Sequence, residues 1–345
     1  MKKTGTHQQN QISQIKASRS KFGDTGKLAS LLREGSRTAL ARGITLIESQ
    51  NELDRAAAQE LLRAILPFSG NSLRIGISGV PGAGKSTFIE AFGSWLCAKG
   101  HKVAVLAVDP SSELGKGSIL GDKTRMNELA ANPNAFIRPS PSSGNLGGVA
   151  RKTRESIYLC EAAGFDIILV ETVGVGQNET AVHHMVDLFM LLALAGSGDE
   201  LQGIKRGITE MADIVLVNKA DGDNLARSKA ARQDLTRALH FMPEKKSGWT
   251  TEIMLSSALE KTGMEEAWEI IERFEFKTKQ SGYFEQHRKE QQLSWLHEQL
   301  KDSLWFAFIE HPGMSDALRN AELAVMQQNI PTGKAVEELL KFFNA

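Results

Sequence analysis

The chain has 345 residues, 41% apolar and 24% charged, with lysine plus arginine equal to aspartate plus glutamate at 41 each. That length calls for one large domain with additions, or for two domains. Zero net charge gives no electrostatic reason to expect nucleic acid or a membrane as a partner. The two cysteines, Cys97 and Cys160, form no paired motif and argue against a disulfide framework or a cysteine zinc site.

Residues 1–25 are polar, rich in Gln, Ser and Lys, and read as a flexible polar N-terminus. They lack the apolar run of a signal peptide. From 26 to 70 apolar residues recur at helical spacing, at Leu28, Leu31 and Leu32, then Leu46 and Ile47, then Leu61, Leu62 and Ile65. This predicts an N-terminal helical extension of two or three helices. From 71 to 275 the pattern alternates. Short apolar runs at 73–78, 102–108, 135–138, 166–170, 188–195, 213–218 and 252–256 predict strands, with helical stretches between them. Near-continuous apolar strands separated by helices imply an α/β domain with a mainly parallel sheet covered on both faces. The apolar run Leu188–Ala195 is too short to span a bilayer and suits a buried strand. From 276 to 345 the spacing of Leu293, Leu296, Leu300, Leu304 and Phe308 marks one face of a long helix, and two shorter helices follow. Pro312 and Pro331 punctuate them. Such an amphipathic tail must pack on its own domain or on a second copy of the chain. The expected location is cytoplasmic.

The chemistry concentrates at predicted strand ends. After the first strand comes GVPGAGKS, Gly79–Ser86, then Thr87 and a predicted helix. This is the phosphate-binding GxxxxGK[ST] loop in its confirming context. Its backbone N–H groups must wrap phosphate closely, which Gly79, Gly82, Ala83 and Gly84 allow, while the helix N-terminus favours anions. Lys85 is placed to reach the β- and γ-phosphates, and the Ser86 hydroxyl to bind Mg²⁺. The strand at 213–218 runs into NKAD, with Asn218, Lys219 and Asp221. Asp221 can accept from the guanine ring N–H and 2-amino group, two donors that adenine does not present. Lys219 is expected to lay its stem over the base. The segment Ser256–Lys261, holding Ser257, Ala258 and Leu259, is similar to the loop that closes over guanine in many GTPases. Together these motifs predict a P-loop GTP hydrolase.

Two further strand ends carry acids, Asp109 and Glu171. Carboxylates beside a phosphate loop suit Mg²⁺, directly or through water. Gly174 lies where a γ-phosphate contact is expected. Three glycine-rich polar segments, 115–126, 139–148 and 195–207, are candidate moving parts. They contain Asp122, a further candidate metal ligand, and Lys123, Arg125, Lys205 and Arg206, candidates to stabilise charge on the transferring phosphoryl group. Gln177 is a candidate to orient water. The eight histidines show no metal-ligand spacing, and His183–His184 read as structural.

The blocks GVPGAGKSTFIE, AVDPSS, GSILGDKTRM, PSSGNLGG, ETVGVGQNE, GSGDELQGIKRGI and VNKADGDN occur in this order. In this the chain closely resembles the methylmalonyl-CoA mutase-associated GTPases, also labelled arginine/ornithine transport-system ATPases or kinases, over about residues 26–345. The resemblance implies a P-loop fold, GTP or GDP with Mg²⁺, and a homodimer built with the C-terminal helical arm, 276–345. It also implies a chaperone of an adenosylcobalamin-dependent acyl-CoA mutase that gates cofactor loading and protection. It assigns Lys85 and Ser86 to phosphate and metal, and Asp109, Asp122 and Glu171 to the metal side. Asn218, Lys219 and Asp221 take the base, and Asp199–Lys205 a switch that communicates with the mutase. Arg125 and Lys205 remain catalytic candidates. The alternatives are an ATPase or kinase of basic amino-acid transport, which NKAD disfavours, a metal-delivery GTPase, which would carry Cys- or His-rich motifs, and a protein-targeting GTPase, for which no basic face is visible in the sequence.

Overall fold

The computed structural model describes residues 24–49, 51–108, 126–139, 146–172, 178–195 and 206–344. The chain divides into two compact units, Met1–Phe284 and Glu285–Ala345.

Among the described residues the first unit begins with α1 (Thr25–Arg33), α2 (Arg37–Glu48) and α3 (Glu52–Ile65). Side chains cap the first two. Asp24 accepts from the N–H groups of Gly26 and Lys27, and Ser36 from that of Ala39. Leu28, Leu32, Leu46, Ile47, Leu61 and Ile65 are buried, as their spacing predicts. Leu31 lies off the Leu28–Leu32 stripe and is exposed.

The expected strands all form, as β1 (Leu73–Gly79), β2 (Val103–Val108), β3 (Ala135–Arg138), β4 (Ile167–Thr172), β5 (Leu188–Leu194), β6 (Ile214–Asn218) and β7 (Glu252–Leu255). They make a parallel sheet in the order β3-β2-β4-β1-β5-β6-β7. Among the described residues the connecting helices are α4 (Lys85–Ala98), α5 (Asn127–Ala131), α6 (Leu146–Ala162), α7 (Asn178–His183), α8 (Arg206–Met211) and α9 (Leu225–His240), and α10 (Met264–Gln280) follows β7. Phe88 and Phe92 of α4 and Ile270 and Phe274 of α10 share one core with Ile75, Ile77 and Met190 of the sheet.

From β1 the chain moves to β2 and β3 on one side, and after β4 it moves to β5, β6 and β7 on the other. The switch point therefore lies at the C-terminal end of β1, where open α/β sheets hold their ligands. At that end β1 and β5 approach so closely that a Cβ on Gly79 would stand 2.4 Å from the Leu192 carbonyl oxygen.

Buried polar ties fix the lower edge and the N-terminal helices. Arg74 donates from Nε and Nη2 to the Glu161 carboxylate at 2.8 and 3.0 Å, and Glu161 also accepts from Gly70 N and Ser72 Oγ. Burial works against the Arg74 charge, but Glu161 and Asp187 outweigh it and raise its pKa. Glu48 of α2 pairs with Arg138 at the end of β3, while the Glu48 carbonyl accepts from Lys152 Nζ at 2.7 Å. Cys97 and Cys160 are buried free thiols, both with pKa values pushed up, mainly by burial.

The second unit continues α11 (Tyr283–Glu310) and adds α12 (Met314–Met326) and α13 (Thr332–Phe343). Phe308 and His311 pack on Phe343 with ring centroids 5.3 and 5.4 Å apart. Leu293, Leu296, Leu300 and Leu304, the stripe expected to need a packing partner, are each more than half exposed. Among the described residues no helix is long and apolar enough to cross a membrane.

Candidate functional site

The turn from β1 into α4 carries the phosphate-loop residues. Gly84 caps α4 with a left-handed backbone, φ 86°. A Cβ there would also lie 2.8 Å from Asn218 Nδ2, so both conformation and space require glycine. Gly82 is left-handed too, with nothing within 4 Å of where a Cβ would stand. The loop thus leaves an open concavity over backbone rather than side chain, which fits a phosphate.

Lys85 folds back on this loop. Its Nζ donates to the Gly79 carbonyl at 2.7 Å and the Val80 carbonyl at 3.3 Å. Burial lowers its pKa, and the nearby Glu171 and Glu179 carboxylates partly offset that. A lysine in this setting is stripped of much of its water and is drawn strongly to a polyphosphate. Ser86, the next residue, donates from Oγ to Glu171 Oε1 at 2.9 Å. Glu171 is buried at the end of β4. A hydroxyl and a carboxylate side by side make the oxygen-only donor set that hard divalent cations take. Thr87 is exposed at the start of α4. Beneath the loop, Thr172 Oγ1 donates to Ser78 Oγ at 2.9 Å and ties β4 to β1.

The second half of the site comes from the ends of β6 and β7. Asn218 is buried, and its Nδ2 donates to the Ala83 carbonyl at 2.8 Å. Its Oδ1 accepts from Ala258 N and Ser256 Oγ, both at 3.3 Å. One amide therefore binds the phosphate loop, β6 and the loop after β7 together. Lys219 is left-handed at φ 58°, and a Cβ on Gly84 would lie 3.8 Å from its Cε, so its stem runs along the phosphate loop. Asp221 accepts a short hydrogen bond from the Ser257 hydroxyl, and Ser257 Oγ accepts from Glu260 N at 3.1 Å. Ala258 is buried, whereas Leu259 is exposed beside the site.

The described structure thus gathers Gly79–Thr87, Glu171, Asn218, Lys219, Asp221 and Ser257–Leu259 at one end of the sheet. Asp109, Asp122, Lys123, Arg125, Gly174, Gln177, Asp199 and Lys205 lie outside the described residues. Arg206 opens α8. Sequence reasoning missed the Ser78–Thr172 hydroxyl pair and Glu179, which is buried on α7 and acts on the Lys85 charge. No spacing rule singles out either. The Asn218–Ala83 bond was also unforeseen, because nothing in the two segments' own patterns links them.

Comparison with known proteins places the chain in a family. The family model described as methylmalonyl Co-A mutase-associated GTPase MeaB matches residues 40–312. The GTPase ArgK of Escherichia coli is 47% identical over 311 residues, spanning 90% of this chain and 94% of that protein. The mitochondrial methylmalonic aciduria type A homolog of Mus musculus is 43% identical over 324 residues, 91% of this chain and 78% of that protein. A crystal structure of a LAO/AO transport system kinase superposes with a TM-score of 0.76 at 40% identity, covering 93% of this chain and 98% of that one.

Proposed function

The chain belongs to the methylmalonyl-CoA mutase-associated GTPase family, a family of P-loop GTPases, and from that premise we propose that its GTP hydrolysis is Mg²⁺-dependent and serves an adenosylcobalamin-dependent acyl-CoA mutase. In this reading the chain is a chaperone that gates loading and protection of the mutase cofactor. The observation that carries it is the family match across residues 40–312, which spans the whole nucleotide site. The relative in Mus musculus, named for methylmalonic aciduria, supports the same client.

In the proposed site, Lys85 leaves the Gly79 carbonyl to hold the β- and γ-phosphates, while the backbone of Gly82–Ser86 wraps them. Asp221, released from Ser257, accepts from the guanine ring N–H and 2-amino group. Asn218 holds the two halves in register, and the Ala258 and Leu259 loop flanks the base. Ser86 and Glu171 would hold the Mg²⁺ ion, joined by Asp109 and Asp122. The ion would neutralise phosphate charge as the γ-phosphoryl group leaves. Arg125 and Lys205 are the proposed sources of further positive charge.

Residues 71–275 form the proposed GTPase domain, and 276–345 the proposed dimerisation arm. The exposed stripe Leu293–Leu304 supports a homodimer, because so long an apolar row is stabilised by a second surface. The kinase function named for the structural relative would require a phosphoryl acceptor. The carboxylate of Asp221 favours guanine over adenine, as in a GTPase.

The test is GTP turnover by the purified chain, alone and with the adenosylcobalamin-dependent mutase of the same source. Strong stimulation by the mutase is expected. Turnover that is unchanged by it removes this client.

A further inference from the structure

Helix α9 has an unusual charge distribution for a chain whose total charge is zero. Its sequence, LARSKAARQDLTRALH, sets Arg227, Lys229, Arg232 and Arg237 against a single acid, Asp234. Only Ser228, Ala231 and Leu235 of the helix are buried, so the stripe that packs on the sheet is narrow. All four cations are exposed. Arg227, Lys229 and Arg232 make no ion pair among the described residues, and Arg237 meets Asp234 at 3.6 Å with both side chains well exposed. At the spacing of one turn, Lys229, Gln233, Arg237 and Phe241 form an outward row, with the small Ala226 and Ala230 between them.

This row leads into a cavity of about 930 Å³ at the C-terminal end of the helix. The cavity is lined by Thr209 and Glu210 of α8, by the C-terminal turn of α9 and by the chain leading into β7. Its lining is largely apolar, with Leu239, Met242, Trp249 and Ile253, and Phe241 stands at the rim almost fully exposed. Charged groups that face it are Glu210 of α8, Arg237 and His240 of α9, and Glu244 and Lys245 of the following loop. Lys245 is already engaged, with its Nζ on the Ala212 carbonyl and on Asp213 Oδ1 at 2.8 Å. The cationic outer face of α9, on which Arg227, Lys229 and Arg232 are unpaired among the described residues, adjoins the apolar cavity at the far end of the helix from Asp221.

We propose that the outer face of α9 and the cavity at its C-terminal end are a docking surface for an acidic segment of another protein that inserts an apolar side chain beside Phe241. Charge complementarity selects the acid: unpaired arginine and lysine along an exposed helix face attract carboxylates. The cavity selects a protein over the other polyanions. Nucleic acid brings no aliphatic side chain to fill an apolar pocket. A bilayer lies flat and does not enter a concavity. An interface with an aromatic anchor in a pocket, ringed by charge, is the form that concentrates binding energy in protein complexes. The surface is separate from the nucleotide site and does not depend on which mutase, if any, is the client.

The experiment pans a random peptide library displayed on phage against the full chain, then compares wild type with Lys229→Glu/Arg237→Glu and with Phe241→Ser. Enriched peptides are expected to be rich in Asp and Glu around a Leu, Ile or Phe. Their affinity is expected to fall at least about tenfold in both variants, with GTP turnover of the chain alone unchanged. No enrichment, enrichment without acidic bias, or peptides that bind both variants as tightly as wild type overturn the proposal. A short single-stranded oligonucleotide and phosphatidylserine vesicles serve as the other probes. If either displaces the peptides and is itself lost in the charge-reversed variant, the occupant is not a protein.

Discussion

Asn218 Nδ2 donates to the carbonyl oxygen of Ala83 at 2.8 Å, so the base side and the phosphate side of the site are one hydrogen-bonded unit. Truncation to Asn218→Ala leaves the Ala83 carbonyl and the Ala258 N–H without this partner in a buried place. A cost of about 1–3 kcal/mol is expected in nucleotide binding, or roughly tenfold to a hundredfold. Because Asn218 sits between loop and base, GDP and GTP are expected to weaken alike. Calorimetric titration of both nucleotides checks this, and a loss confined to GTP contradicts it.

Asp221 and Ser257 share a short hydrogen bond when no base competes for the carboxylate. In Asp221→Asn the charge is lost, and one of the two acceptor oxygens becomes an N–H donor facing a guanine donor. The expected loss is roughly 3–6 kcal/mol from two charge-assisted hydrogen bonds, or about 10²–10⁴ in GTP affinity. Xanthine nucleotide, which presents an oxygen where guanine has its amino group, is expected to gain. Competition between GTP and XTP measures the ratio, and an unchanged preference for GTP would remove Asp221 from base recognition.

Lys85 is held over the phosphate loop by the Gly79 and Val80 carbonyls. In Lys85→Ala the charge is missing, and turnover is expected to fall at least ~100-fold. Glu171→Gln keeps the shape but weakens the donor set beside Ser86, so the Mg²⁺ concentration for half-maximal turnover is expected to rise. Turnover titrated against Mg²⁺ in both variants separates the two roles. Normal hydrolysis by Lys85→Ala would be incompatible with the proposed site.

Glu155 of α6 is buried, and burial raises its pKa from 4.5 to about 7 against the opposing pull of Arg151, Lys152 and Arg55. Between those two values the folded chain keeps a proton that the unfolded chain releases. Its contribution therefore makes stability fall as pH rises from about 4.5 through 7. Glu155→Gln removes that dependence. The variant is expected to gain about 1–3 kcal/mol relative to wild type at pH 8, and less as the pH falls toward 5. Denaturant unfolding at both values tests the sign. A wild type that gains on the variant with rising pH contradicts it.

The strands were legible because a sheet buried on both faces is written as unbroken apolar runs. Their ends were less so. The run at 166–170 stops short of β4, which continues through Glu171 and Thr172 because both still pair with β2, at Ala107 and Val108. The phosphate loop and NKAD were legible as candidates because a tight turn and an acid proposed to read the base demand particular residues at fixed spacing. Helix α6 was not. Its Lys152, Arg154, Glu155 and Glu161 look like a solvated face in sequence, yet all four are buried. The reason is tertiary, since α2 and α3 cover the side of α6 that faces away from the sheet. Periodicity shows that a helix has faces, not which of them another element will cover. Contacts between distant segments, such as Arg74 with Glu161, have no local signature either.

If the arm dimerises as proposed, the leucines at 293, 296, 300 and 304 change the molecularity of the fold. The sheet and its helices bury their own apolar residues, so their stability is a property of one molecule and does not change on dilution. In the proposed homodimer, this row of leucines would gain its stabilisation from a surface outside the chain, and that gain would follow mass action. In that reading the two units would answer to different variables: the nucleotide-binding unit to temperature and ligand, the helical arm also to how many molecules share the solution. Melting followed over a range of protein concentrations would separate one from the other.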